Sequence, residues 1–187
     1  MSDREEEGFG FAPEHDAPIP YMMRIRDYYQ ALGYGAPYRW AHYAEVPFAP
    51  FNKPLAESRI GLITTAAPYQ PDKGDQGPGA PYNGAAKFYT VYSGETDRDR
   101  DRDRDHDLRI SHIGYDRVHT TAEDSNTWFP LPALRLLAES GRIGEIAPRF
   151  HGAPTDRSHR ATLRRDCPEL LKRVREDKVD AVILVAV

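Results

Sequence analysis

The sequence predicts an α/β fold with a largely parallel sheet flanked by helices, of the Rossmann-like or flavodoxin-like kind. Two continuous apolar runs, RIGLITTA at 59–66 and VDAVILVAV at 179–187, lack the alternation of a half-exposed strand. Such runs are typical of parallel strands that are buried on both faces. A helical pattern directly precedes the second run, as it does in the second half of a βαβ unit. The intervening segment 108–150 repeats the scheme as a strand, a polar loop, a helix and a short strand.

Composition narrows the class of protein. The chain has 187 residues, enough for one domain with its own core, and its formal net charge is −4. That balance carries no electrostatic footprint for nucleic acid and no polybasic patch for a membrane surface. No apolar run reaches the roughly 20 residues that span a bilayer, and the acidic N-terminus lacks the apolar core of a secretory signal. Cys167 is the single cysteine, which excludes an internal disulfide. We therefore expect a cytoplasmic protein.

We expect a flexible acidic N-terminal arm over residues 1–20 and a single α/β domain, or the N-terminal part of one, over 21–187. The elements predicted before the central segment are a helix over 21–32, an irregular aromatic and proline-rich segment over 35–53, a long loop over 68–84, an edge strand over 87–92 and a solvated Asp/Arg loop over 95–107. The aromatic segment either packs onto the domain or forms a lid that faces the substrate. The Asp/Arg run buries nothing apolar, and its arginines neutralise any metal site that its aspartates would form.

The central segment begins with Leu108 and Ile110, which alternate with polar residues as in a half-buried strand. After the polar loop comes a helix with prolines in its first turn, a stripe of leucines and a glycine where a left-handed cap is expected: Pro130, Pro132, Leu131, Leu134, Leu137 and Gly141. A short buried strand over 143–146 then ends before Pro148.

The C-terminal part is predicted to hold a loop or irregular helix over 151–165, a helix and a final strand. Asp166 is in position to cap the helix, with Pro168 in the first turn and Glu169 three residues after the cap. The strand over 179–187 is expected inside the sheet. Because no helix follows it in this sequence, we expect its apolar surface to be exposed.

The polar loop over 112–127 holds the densest set of side chains that titrate, donate or accept hydrogen bonds. We predict His119 as the proton donor to a leaving amine, because imidazole titrates near neutral pH. Asp116 or Asp124 would orient that histidine or hold a cationic amine, and His112 and Asn126 would bind substrate. The alternative is that the acids and the amide satisfy turn backbone and that the histidines are merely exposed.

Thr64 and Thr65 stand at the carboxyl end of the first predicted strand, where ligands bind in open α/β sheets. We predict that they bind substrate, with β-branched strand filling as the equal alternative. We predict no metal site, since His112 and His119 lack partners at zinc spacing. The glycines of 68–84 do not open a helix after a strand, which argues against a nucleotide fingerprint. Cys167 could be an activated thiol at a helix start, but a small residue that suits that position is the better interpretation.

Three stretches in order, SRIGLITTAA, LRISHIGYDRVHTTAEDSNTWFPLPALRLLAESGRIGEIAPRF and REDKVDAVILVAV, resemble the selenoprotein B family of glycine, sarcosine, betaine and D-proline reductases. The resemblance runs from about residue 57 to residue 187 and is strongest over 109–148. It implies reductive cleavage of a C–N bond in a small amine or amino-acid-like substrate, with a selenolate or thiolate as the nucleophile or electron donor. It also implies partner subunits, some of which carry a pyruvoyl group made by self-cleavage.

In that family the reactive selenocysteine or cysteine lies in a short U/C-x-x-C motif directly after the strand that matches VDAVILVAV, so the resemblance places it beyond Val187. No cofactor is expected within the chain itself. Three explanations are open: a UGA selenocysteine codon read as a stop, a truncated or cleaved chain, and a non-catalytic relative. The first is our hypothesis, and a transcript with a different stop codon and no open frame beyond it would contradict it.

Three functions compete at this point. The first is a component of such a reductase, an oxidoreductase subunit that needs other subunits or a C-terminal continuation. The second is a non-catalytic binding or scaffold subunit of the same complex. The third is a metal-assisted hydrolase that uses the histidines and acids of residues 106–126.

Overall fold

The computed structural model describes residues 20–34, 43–47, 49–77, 80, 83–97, 107–110, 122–154 and 158–186. The chain forms two compact units, residues 1–47 and 48–187. In the first unit the predicted helix is confirmed as α1 (Tyr21–Ala31), and no residue of it is buried. The predicted acidic arm lies almost wholly outside the described residues and stays a prediction.

The second unit contains the sheet. In chain order its strands are β1 (Arg59–Thr64), β2 (Ala67–Pro68), β3 (Tyr92–Glu95), β4 (Leu108–Arg109), β5 (Glu145–Ile146), β6 (Arg149–Gly152) and β7 (Ala181–Val185). Its helices are α2 (Leu131–Glu139), α3 (His159–Ala161) and α4 (Cys167–Glu176), with a π-helical segment (Thr162–Asp166) that joins α3 to α4. None of the helices in the described part of the chain is long and apolar enough to cross a bilayer.

β1 is the central strand. Ile60 pairs in parallel with both Ile146 of β5 and Ala181 of β7, so these two strands lie on opposite edges of β1. β6 continues the line of β5, and β3 pairs antiparallel with β6 at the far edge. The α/β class and the mostly parallel sheet are thereby confirmed. A Rossmann-like or flavodoxin-like arrangement is not confirmed, because helices are few and the strand next to β6 is antiparallel.

The main core lies between one face of the sheet and α2. β1 is buried along almost its whole length, as its unbroken apolar pattern predicts. Ile60 and Leu62 meet Leu131, Leu134 and Phe150 in one cluster. Leu131 is fully buried, and burial of a leucine side chain contributes about 1.5–3 kcal/mol. α2 ends as predicted, since Gly141 adopts the left-handed conformation with φ +68°.

Four sequence-based boundaries need correction. The edge strand predicted over 87–92 is wrong, because the strand is Tyr92–Glu95. β6 was not predicted, since Pro148 suggested an end to extended structure where the chain only steps from β5 to β6. The strand predicted from Leu108 spans two residues and pairs with β2 in a separate two-stranded sheet.

The predicted cap at Asp166 is also wrong, because the helical run begins earlier. Ser158 precedes α3, and its hydroxyl oxygen accepts from the N–H of Ala161 at 3.2 Å. Asp166 lies inside the run, where it is 2% exposed and accepts from Arg165 Nε at 2.8 Å. Asp166 therefore forms an ion pair with Arg165 inside the helical run instead of capping a helix.

The final apolar run forms β7 as predicted, but at an edge rather than inside the described sheet. Ile183 is 41% exposed and Leu184 is 61% exposed, which confirms the predicted exposure of its apolar surface. The local sequence predicts that this segment is an apolar strand. It does not predict the position of the strand in the sheet, because that position depends on which other strands pair with it.

Candidate functional site

Three parallel strands end side by side at one edge of the sheet. Thr64 at the end of β1 is in register with Val185 of β7 and with Gly152 of β6. The N–H of Thr65 donates to the carbonyl of Val185 at 3.1 Å, and the N–H of Ala153 donates to the carbonyl of Thr64 at 2.8 Å. This carboxyl-end edge is where open α/β sheets bind ligands.

Thr64 links that edge to the end of the polar loop. Its hydroxyl donates to the carbonyl of Trp128 at 2.8 Å and accepts from the N–H of Ala66 at 3.1 Å. The residue is fully buried. Both hydrogen-bonding capacities of the hydroxyl therefore serve the fold, while Thr65, the other predicted threonine, is half-buried beside it. Substrate binding by the pair stays a prediction.

Asp124 and Asn126 organise the connection into α2. Asp124 Oδ1 accepts from the backbone N–H of Asn126 at 3.0 Å and from its side-chain amide at 3.1 Å. Asn126 Oδ1 in turn accepts from the N–H of Ala133, in the first turn of α2, at 3.1 Å. Both side chains thus satisfy backbone groups of the turn, which is the alternative role considered from the sequence. The predicted catalytic role of Asp124 and the predicted substrate-binding role of Asn126 stay predictions.

The other predicted residues of the loop, His112, Asp116 and His119, lie outside the described residues. The loop ends within the described chain at a 3₁₀ turn (Ser125–Thr127) and at Trp128, which places that end at the carboxyl-end edge through Thr64. The structure therefore brings Thr64, Thr65 and the end of the loop together. It does not place the two histidines.

Sequence reasoning missed a polar network on the opposite face of the sheet, beneath α4. Arg149 and His151, two residues apart on β6, both reach Asp177 at the end of α4. Arg149 Nη2 lies 2.7 Å from Asp177 Oδ1. His151 Nε2 lies 3.2 Å from Asp177 Oδ2, although the alignment does not make a hydrogen bond.

Ser93 of β3 closes this network. It is the register partner of His151, and its hydroxyl lies 2.8 Å from His151 Nδ1. Arg173 Nη1 donates to the same hydroxyl oxygen at 2.8 Å. Burial lowers the pKa of His151 from its ordinary value, against the attraction of Asp177. Asp177 on one side and Arg149 and Arg173 on the other are the charged groups that act on this histidine. The period-2 spacing of Arg149 and His151 is the sequence signal that points to this face.

A small pocket lies beside β2 and β4, just beyond the end of β1. Arg109, Asp75 and the amides of Gln76 and Asn83 line it. Arg109 was not singled out from the sequence, because one arginine in a charge-rich stretch has no distinctive local pattern. Among the described residues, no group of three or more histidine, cysteine, aspartate and glutamate side chains could hold a metal ion.

The fold described above is that of an α/β protein in which the carboxyl ends of three parallel strands lie next to the end of a polar loop. The sequence model for the glycine/sarcosine/betaine reductase selenoprotein B family matches residues 30–187. The chain therefore belongs to the glycine/sarcosine/betaine reductase selenoprotein B family.

A curated relative gives a finer comparison. The chain is similar to the D-proline reductase subunit gamma of Acetoanaerobium sticklandii, with 29% identity over 143 residues, 74% of this chain and 52% of the relative. The chain thus spans about half the length of the curated relative that it matches. No solved structure matches the chain.

Proposed function

We propose that this chain is a component of a reductase that cleaves a C–N bond of a small amine or amino-acid-like substrate. Family membership over residues 30–187 is the observation that carries the proposal. The relative that is a D-proline reductase subunit supports it. We further propose that other reductase subunits, one of them with a pyruvoyl group, act with this chain.

The carboxyl-end edge suits that chemistry. Residues that follow β7 emerge beside Thr64 and Thr65, since Val185 is bonded to Thr65. The reactive selenocysteine or cysteine that the family resemblance implies after this strand would therefore face the end of the polar loop. A strand end that opens into a loop offers backbone N–H groups to an anionic chalcogen.

The reaction balances as a two-electron reduction. The C–N bond breaks, a C–H bond forms on the carbon, and the nitrogen leaves as an amine. An uncharged nitrogen takes a proton as it leaves, whereas the quaternary nitrogen of betaine leaves without one. The two electrons come from the selenol or thiol and a second thiol, which become a selenenyl sulfide or a disulfide. In this proposal His119 supplies the proton, Asp116 or Asp124 orients it, and His112, Asn126, Thr64 and Thr65 line the substrate site.

The test is turnover by the full-length protein reconstituted with its partner subunits and supplied with a dithiol. D-Proline, glycine, sarcosine and betaine are offered separately, and the released amine, or the ring-opened amino acid from D-proline, is quantified. We expect His119→Gln to lower kcat by about 10²–10⁴-fold. The matched control is His159→Gln, because His159 is exposed on α3.

Two outcomes would contradict the proposal. Failure to reduce any of the four amines would exclude the reductase assignment. An unchanged kcat in His119→Gln, together with loss of activity when the subunit is omitted, would favour the scaffold alternative, in which the chain supports catalysis by a partner.

A further inference from the structure

Arg109 lies on β4, in the two-stranded sheet whose other strand, β2, follows soon after the carboxyl end of β1. It pairs with Ala67 in the β2–β4 ladder, and Ala67 follows closely on Thr64 and Thr65. In the other direction it leads into the polar loop. One residue therefore connects the two segments that the sequence predicts to bind substrate.

Within the described residues, the polar contacts of the guanidinium group are made by Nη1. Nη1 donates to the carbonyl of Leu108 at 2.8 Å and lies 2.6 Å from Asp107 Oδ1. The guanidinium carbon lies 4.8 Å from the centre of the Tyr69 ring, a cation–π contact. These contacts orient the plane of the guanidinium group.

The Nε atom is buried and has no hydrogen-bond partner among the described residues. A buried donor without an acceptor is destabilising. The Nε edge of arginine is also one of the two edges that bind a carboxylate with two parallel hydrogen bonds. An acceptor with two oxygens would satisfy it.

The pocket beside Arg109 has a fixed polar wall. Gln76 donates to the carbonyls of Gln70 and Gly74 at 2.7 and 3.1 Å. Asn83 donates to the carbonyl of Asp75 at 3.2 Å. The same loop also uses Asp75 Oδ1, which accepts from the N–H of Gly77 at 3.0 Å. The groups left to bind a ligand are therefore the Nε edge of Arg109 and the second carboxylate oxygen of Asp75. The enclosed space is about the size of one water molecule. One carboxylate oxygen fits inside it, and the second oxygen and the rest of the ligand would lie on the open side.

We propose that Arg109 is the residue that binds the carboxylate of the substrate, with Asp75 facing its amine. An arginine and an aspartate on one small pocket match the two charges of a zwitterion. This inference rests on the proposed function, because it assigns a specificity residue to the same site. It makes the carboxylate, rather than the amine alone, a required feature of the substrate.

The test compares each carboxylate substrate with its carboxamide, which keeps the amine and lacks the charge. The full-length protein with its partner subunits is assayed as wild type, Arg109→Gln and Arg109→Lys. We expect Arg109→Gln to raise KM for D-proline by about 10- to 100-fold, as expected for the loss of a charged hydrogen-bonded pair. The rate with D-prolinamide should change less than about 3-fold. Arg109→Lys keeps the charge but lacks the two parallel N–H donors of arginine. Its KM for D-proline should lie between those of the wild type and Arg109→Gln.

The control is Arg142→Gln, since Arg142 is exposed in the turn after α2. Equal losses with acid and amide in both Arg109 variants would assign Arg109 a structural role and overturn the inference. An unchanged KM for D-proline would also overturn it, while leaving the reductase assignment intact.

A binding measurement separates this inference from the proposed function. Calorimetric titration with D-proline and with glycine reports binding without turnover. If the wild type binds either acid and Arg109→Gln does not, the inference holds even when no amine is reduced. If the wild type binds neither acid and turns over neither, the inference fails with the proposed function.

Discussion

Asp177 and Arg149 form a two-pronged ion pair between the end of α4 and the start of β6. Arg149 Nη2 lies 2.7 Å and Nε 3.0 Å from Asp177 Oδ1. Hydrogen bonding to Asp177 raises the pKa of Arg149 above its ordinary value. The carbonyl of Asp177 accepts from Arg59 Nη1 at 2.8 Å. One buried residue thus ties α4 to two strands immediately before the chain enters β7.

Replacement of Asp177 should therefore be costly. We expect Asp177→Asn to lower the free energy of unfolding by about 2–4 kcal/mol, because it leaves the guanidinium of Arg149 without its buried counter-charge. Urea denaturation at pH 7 measures it. Glu176→Gln is the matched control: Glu176 contacts the same arginine at 3.3 Å but is 49% exposed, so its loss should cost less than about 1 kcal/mol. Similar losses in both variants would contradict a special role for the buried pair.

His151 should make stability depend on pH. Burial lowers its pKa in the folded state, with Asp177, Arg149 and Arg173 as the charged neighbours. Between that lowered pKa and the value near 6.5 of an unfolded histidine, the unfolded chain binds more protons, so stability falls as the pH falls through this window. The slope from one group is at most about 1.4 kcal/mol per pH unit.

The measurement is urea unfolding of wild type and His151→Gln between pH 5 and 8. The variant should lose the histidine contribution to the slope, whereas His159→Gln, a change at an exposed histidine, should keep it. If the free energy of unfolding had the same pH dependence in wild type and His151→Gln, another group would be responsible for the loss of stability at low pH.

Gly152 is required by close packing rather than by its backbone angle. A Cβ at this position would overlap the ring of Tyr92. That ring is fixed by its hydroxyl, which donates to the carbonyl of Ala66 at 2.7 Å, and by an edge contact with Phe150. We expect Gly152→Ala to cost about 1–3 kcal/mol, as overpacking does in cores.

A double-mutant cycle with Tyr92→Leu tests the cause. Because the smaller side chain removes the overlap, the combined loss should be smaller than the sum of the single losses by more than about 0.5 kcal/mol. Strict additivity would show that Gly152→Ala acts through something other than Tyr92.

The Thr64 hydroxyl should be needed to hold the end of the polar loop against the carboxyl end of β1. Thr64→Val keeps the shape of the side chain but leaves the carbonyl of Trp128 and the N–H of Ala66 without their buried partner. We expect a loss of about 1–3 kcal/mol. Thr162→Val is the control, since Thr162 is exposed in the π-helical segment. A loss in Thr64→Val no larger than in Thr162→Val would show that the hydroxyl does not hold the loop end to β1.

Features that depend on near neighbours in the chain could be predicted from the sequence. The unbroken apolar run of β1, the leucine stripe of α2 and the left-handed Gly141 each follow from local periodicity or from one residue's backbone preference. The family also followed from motifs in order, and the match over residues 30–187 confirms it. Thr64 was singled out because a strand end is a local signal.

Other features needed the tertiary structure, because they arise from pairing between distant segments. Ser93 and His151 are far apart in the chain, and only the antiparallel register of β3 and β6 sets them 2.8 Å apart. Arg109 looks ordinary in the sequence until the β2–β4 ladder buries its Nε beside the pocket. By itself the sequence determined the fold class, the family and the strand end at Thr64. Tertiary structure decided which side chains share a face, which donor is left unpaired and that β7 lies at an edge, since strand pairing is set by contacts that no local pattern encodes.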